Sequence, residues 1–96
     1  MFDKLESLKN KYEELQKLLY SPQVSSDVNK SIEISKQINE LEEVYNLYNQ
    51  WKQADNEIKE AKDIIENEED EEMIQMAKEQ LSDATKRKEE LEQKLK

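Results

Sequence analysis

The sequence contains no glycine, no cysteine and no histidine, and a single proline among 96 residues. Average glycine usage is about 7%, so its absence removes the residue on which phosphate-cradling loops and nucleophile elbows depend for their tight φ > 0 turns. Without cysteine and histidine there are no thiol nucleophiles, imidazole bases, disulfides or ordinary zinc sites. Aromatic residues make up only 6% of the chain. No stretch approaches the ~18 apolar residues of a membrane span, and Met1 is followed at once by Phe2 and Asp3, with neither the basic nor the apolar region of a secretion signal. These absences predict a cytoplasmic chain that is not an enzyme and that has no cofactor, no metal and no membrane partner. Carboxylates alone could do acid–base chemistry, but only in a desolvated pocket that a thin helical core does not offer.

Charge is what the sequence has in abundance. Asp and Glu number 24 against 15 Lys and Arg, giving a net charge of −9, and 41% of residues are charged. Such a surface repels phosphates, which argues against autonomous nucleic-acid binding. Disorder competes as an explanation of so charged a chain. A composition of Glu, Lys, Gln and Leu with almost no Gly or Pro is equally that of long helices packed as coiled coils, and the pattern decides between the two.

Leu5, Leu8, Tyr12, Leu15 and Leu19 step by three and four, placing an apolar stripe on one face of a helix over about 2–20. Ser21-Pro22-Gln23-Val24-Ser25-Ser26 then breaks the pattern, because the residue before a proline avoids the helical region and its neighbours favour turns. Ser25, Ser26 or Asp27 supplies the next N-cap. An uninterrupted helix follows over about 27–66, some ~60 Å long at the usual rise. It carries one seam of Ile34, Ile38, Leu41, Tyr45 and Tyr48, with Val28 and Ile32 upstream, and another of Val44, Leu47, Trp51, Ala54, Ile58, Ala61 and Ile65. The seams are offset by one residue, a rotation of about 100°, so the helix is expected to meet two different partners. The second partner is a helix over about 71–96 with Ile74, Ala77, Leu81, Ala84, Lys88, Leu91 and Leu95 in line. The aromatics Tyr45, Tyr48 and Trp51 read as space-filling core residues. The expected fold is an all-α, antiparallel, three-helix coiled-coil-like bundle with a long central helix, forming a single domain over 1–96.

Charge is distributed unevenly. Residues 57–72 carry a net −7, whereas 1–20 are neutral, 21–56 carry −3 and 73–96 carry +1. Glu66, Glu68, Glu69, Asp70, Glu71 and Glu72 crowd one predicted reversal, where the helix dipole disfavours acids on the outgoing helix and favours them on the incoming one. That asymmetry places a turn here, with Asn67 expected in the left-handed region and Asp70 as N-cap. These six acids are the candidate docking site for a basic protein partner; the plainer reading is a solvated tip. They lack the spaced ligands and bend glycine of a calcium loop. Lys86-Arg87-Lys88 forms a short basic run in which the Lys88 stem packs in the seam while its charge reaches water.

Three stretches are more specific than coiled-coil text. Met1-Phe2-Asp3-Lys4-Leu5-Glu6, then Tyr12-Glu13-Glu14-Leu15 with Ser21-Pro22-Gln23-Val24, and above all Asp70-Glu71-Glu72-Met73-Ile74-Gln75-Met76-Ala77-Lys78-Glu79-Gln80-Leu81 resemble the N-terminal helical domain of the bacterial peptide chain release factor 1 family, a class I release factor family. The last stretch departs from the family pattern at Glu71, where proline is frequent, and at Gln80, where Glu is frequent. The resemblance implies a role in translation termination on the ribosome. It also implies that stop-codon recognition through a Pro-x-Thr type tripeptide and peptidyl-tRNA hydrolysis through a Gly-Gly-Gln loop belong to other domains, before which this chain stops. The family's N-terminal domain is non-catalytic, and the partners it implies are the ribosome near its stalk base and the class II release-factor GTPase. The alternative is a free-standing coiled-coil adaptor or scaffold that dimerises through its seams.

Overall fold

The computed structural model describes residues 2–96, and these form four α-helices in chain order: α1 (Phe2–Leu19), α2 (Pro22–Ser25), α3 (Val28–Asn67) and α4 (Glu71–Leu95). The architecture is all-α, with a long central helix packed against flanking helices as the spacing predicts. The contacts divide into two compact units, one ending at Tyr48 and the other Asn49–Lys96, so the boundary falls within α3.

In the first unit α1 buries Leu5, Tyr12 and Leu15 of its predicted stripe, while Leu8 and Leu19 are half-buried. Tyr12 stacks on Tyr45 with ring centroids 4.0 Å apart. Six residues nearer the N-terminus, Glu6 Oε2 accepts a 2.6 Å hydrogen bond from the Tyr48 hydroxyl. The partner numbers rise on one helix as they fall on the other, which fixes α1 and the first half of α3 as antiparallel. Burial, aided by the charge of Glu42 and by Tyr45, pushes the Tyr12 hydroxyl above the ordinary phenol range.

The break at Pro22 holds a short helix that the sequence pattern does not predict. Pro22 occupies the first helical position of α2, where its missing N–H is no loss. Ser21 ends α1 by donating both its amide and its hydroxyl to Leu18 O, at 3.0 and 2.6 Å. Val24 is the buried anchor of this turn, and its carbonyl accepts from Ser31 Oγ at 2.8 Å. Asp27 is the N-cap of α3, accepting from Lys30 N at 3.2 Å. Val28 and Ile32, expected to add apolar surface to the first seam, are exposed instead, at 73% and 51%.

The second unit is an antiparallel helical hairpin. Trp51 meets Glu92, Asp55 meets Lys88 and Glu57 meets Arg87, again with opposed numbering. Its core is built from small side chains: Ala54 and Ala61 on α3 and Ala77 and Ala84 on α4, joined by Ile58 and Leu91, are all buried. Alanine at seven-residue intervals on both faces lets two helix backbones approach closely. That is how a chain with few large apolar residues still forms a buried seam.

Candidate functional site

The six acids singled out in the sequence lie together where α3 gives way to α4, within the second unit. Glu66 is on the last turn of α3, Glu68 to Asp70 form the connection, and Glu71 and Glu72 open α4. All are exposed except Glu68, which is half-buried.

Two of the six build the turn itself. Glu68 N continues the helical ladder to Ile64 O at 2.9 Å. The Glu68 side chain then folds over the connection, and its Oε1 accepts from Glu69 N at 3.1 Å and Asp70 N at 3.3 Å. Asp70 is the N-cap of α4 as expected, accepting from Glu72 N through Oδ1 at 2.9 Å and from Ile74 N through its carbonyl at 3.0 Å. The expected left-handed Asn67 is not found: among the described residues no backbone φ is positive. Asn67 remains helical, and its amide donates back to Asp63 O and Oδ1 at 3.1 and 2.8 Å. The physical reason is that carboxylates satisfy the amides of the connection, so the chain reverses without the 1–2 kcal/mol penalty of a left-handed residue.

The remaining four, Glu66, Glu69, Glu71 and Glu72, project from this frame. Among the described residues none of them takes part in an ion pair, and no group of three or more acidic side chains is placed to hold a metal ion. Next along α4 stand two exposed apolar side chains, Met73 at 45% and, a turn on, Met76 at 70%. Neither is among the residues singled out from the sequence for the site, although the spacing carries the signal, since both fall beside the Ile74–Ala77–Leu81 seam rather than in it.

Two residues of the basic run further along α4 are engaged within the hairpin, and the third, Lys86, is exposed. Arg87 pairs with Glu57, and Lys88 Nζ lies 2.9 Å from Asp55 Oδ1 and 5.1 Å from the centroid of the Trp51 ring. The charge of Lys88 is thus met by a carboxylate and an aromatic face rather than by water alone. Hydrogen bonds from Lys88, then from Lys59, hold the Asp55 carboxyl below the usual carboxylate range. Trp51 does more than fill space, since its indole N–H donates to Glu92 Oε1 at 3.0 Å. Among the described residues no helix is long and apolar enough to cross a membrane.

The second unit is all-helical and presents an exposed cluster of carboxylates on a hydrogen-bonded turn. The chain belongs to the PCRF domain family, which matches residues 8–96. It is 42% identical to peptide chain release factor 1 of Halalkalibacterium halodurans and 41% identical to that of Enterococcus faecalis, over all of this chain and 27% of each relative. Identity to peptide chain release factor 1 of Fusobacterium nucleatum subsp. nucleatum is 46%, over all of this chain and 26% of the relative. The chain therefore spans about a quarter of the length of these relatives. No solved structure matches it.

Proposed function

We propose that this chain is the N-terminal helical domain, over 1–96, of a peptide chain release factor acting in translation termination, and that it is a non-catalytic docking module of that factor on the ribosome. The observation that carries this reading is the match to release factor 1 relatives along the whole chain. A free-standing coiled-coil adaptor is not favoured by that match. The finer reading is that Glu66, Glu69, Glu71 and Glu72 contact a basic surface near the ribosomal stalk base or on the class II release-factor GTPase, while Glu68 and Asp70 hold the turn that presents them. Exposed carboxylates on a hydrogen-bonded turn are suited to this, because they act on encounter and orientation through charge complementarity.

The test is a chimera in which residues 1–96 replace the matching segment of a relative's full-length factor. The expected result is stop-codon-dependent peptide release comparable to the parent. A chimera that folds yet no longer binds ribosomes would overturn the reading. Within it, Glu66→Gln, Glu69→Gln, Glu71→Gln and Glu72→Gln together are expected to lower ribosome affinity or GTPase-stimulated recycling by roughly tenfold, each lost contact contributing a few tenths of a kcal/mol. Unchanged affinity and unchanged recycling would sink the docking role of the acidic turn.

A further inference from the structure

Two thioether side chains stand in water next to the acidic turn, on a helix whose apolar seam is already covered by α3. Met73 and Met76 are 45% and 70% exposed, while their seam neighbours Ala77 and Ala84 are at 2% and 0%. Residues 72, 76, 79 and 83 step by four, three and four, so Glu72, Met76, Glu79 and Asp83 share one line on α4, and Met73 lies one turn before Met76. All five are exposed. Lys78 is exposed but lies off that line and Lys86 continues it beyond Asp83, while Arg87 and Lys88 are engaged by Glu57 and Asp55. Between residues 71 and 83 the outer flank of α4 is therefore an apolar centre bordered by carboxylates and continuous with Glu71 and Glu72 of the turn, with Lys86 at its far end.

We propose that this flank is a docking face for a cationic amphipathic helix of a partner protein, whose leucine-type side chains cover Met73 and Met76 while its lysines or arginines meet Glu72, Glu79 and Asp83. This rests on the docking role proposed for the acidic turn and adds the apolar half of the contact. Charge complementarity selects the occupant. A nucleic acid or an anionic lipid surface would set phosphates against the carboxylates, and a second copy of this chain would bring an identical acidic border. A helix with basic flanks meets both features at once, in the helix-on-apolar-face mode of recognition. Methionine suits such a surface because its unbranched, polarizable side chain repacks around differently shaped apolar groups.

The experiment labels the methyl groups of the three methionines with carbon-13 and titrates the 96-residue chain with two probes, a leucine–lysine amphipathic helical peptide and an oligolysine of equal charge. The expected result is that the Met73 and Met76 signals move with the leucine–lysine peptide and remain in place with oligolysine, with Met1 as the reference. Replacing both by serine, Met73→Ser with Met76→Ser, weakens the leucine–lysine peptide by roughly tenfold and leaves oligolysine unaffected, as loss of buried apolar area without change of charge requires. Both positions are exposed, so the double variant keeps its helix content, which circular dichroism verifies. Equal binding of the leucine–lysine peptide to the wild type and the double-serine variant, or stationary Met73 and Met76 signals, would overturn the proposal. If the two probes bind alike and both are lost only in the four-glutamine variant, the apolar face fails while docking by the acidic turn stands. If methionine-dependent binding persists while the four-glutamine variant leaves ribosome binding unchanged, the apolar face stands and the acidic-turn reading fails.

Discussion

The Tyr48 hydroxyl makes a short hydrogen bond to a carboxylate. Its donation to the Glu6 carboxylate, reinforced by burial and by the negative charge of Glu6 and Asp3, lifts its pKa from 10.0 to about 12. The folded chain thus keeps a proton that the unfolded chain loses, so the bond contributes fully below pH 10 and its contribution is lost as pH rises through about 12. Tyr48→Phe is expected to cost about 1 kcal/mol near neutral pH and to flatten the alkaline loss of stability; urea unfolding at about pH 8 and about pH 11 checks both. Asp55 has the opposite sign. Its folded carboxyl sits below the usual value because Lys88 and Lys59 donate to it, so its stabilisation is present above about pH 4 and fades as pH falls through the lowered value. Asp55→Asn is expected to lose about 1 kcal/mol at neutral pH and to show a smaller acid-induced loss than the wild type. The single tryptophan reports this directly, since Lys88 lies over the Trp51 ring.

At the scale of elements, the seam between α3 and α4 and the turn that joins them make separate demands. Ala84 is fully buried, and Ala61 likewise, so the two backbones leave no room for a larger side chain there. Ala84→Leu is expected to destabilise the chain by about 1–3 kcal/mol through overpacking, seen as a lower denaturant midpoint. The turn depends on side-chain caps rather than on a special backbone. Asp70→Ala removes the bond to Glu72 N and is expected to cost about 1 kcal/mol, whereas Glu71→Ala, one residue on and fully solvated, changes stability by less than about 0.5 kcal/mol. Thermal unfolding followed by circular dichroism separates the two, and an equal effect would show that Asp70 is not the cap. The same comparison separates the acids that shape the connection, Glu68 and Asp70, from those that stand in solvent.

For the molecule as a whole, the dominant long-range term is the net −9, of which −7 lies within residues 57–72. Like charges so concentrated raise the free energy of the folded state at low ionic strength, since folding holds them together. Raising salt from about 0.02 M to about 0.5 M shortens the Debye length from roughly 20 Å to under 5 Å. The thermal midpoint of the wild-type chain is expected to rise over that range, and the rise is expected to be smaller in the four-glutamine variant. Differential scanning calorimetry at the two salt concentrations decides it. A midpoint that falls with salt would mean that the cross-helix ion pairs at Asp55 and Glu57 outweigh the repulsion.

The sequence by itself determined the three long helices and their order, because alternate steps of three and four place apolar residues on one face wherever the chain is helical. Only Pro22 interrupts the pattern strongly, and there the pattern does not predict the short α2. It also determined where the acids crowd and that Asp70 caps the last helix, since a cap is a local relation between a side chain and an amide two residues away. Tertiary structure decided what lies across the helices. Tyr48 with Glu6 and Trp51 with Glu92 are 42 and 41 residues apart, and such pairs follow from the register of one helix against another, which local spacing does not encode. It decided as well that Val28, Ile32, Met73 and Met76 remain in water. Their apolar character is written in the sequence, but whether a neighbouring helix covers them depends on how close two backbones come, and in the second unit buried alanines set that distance.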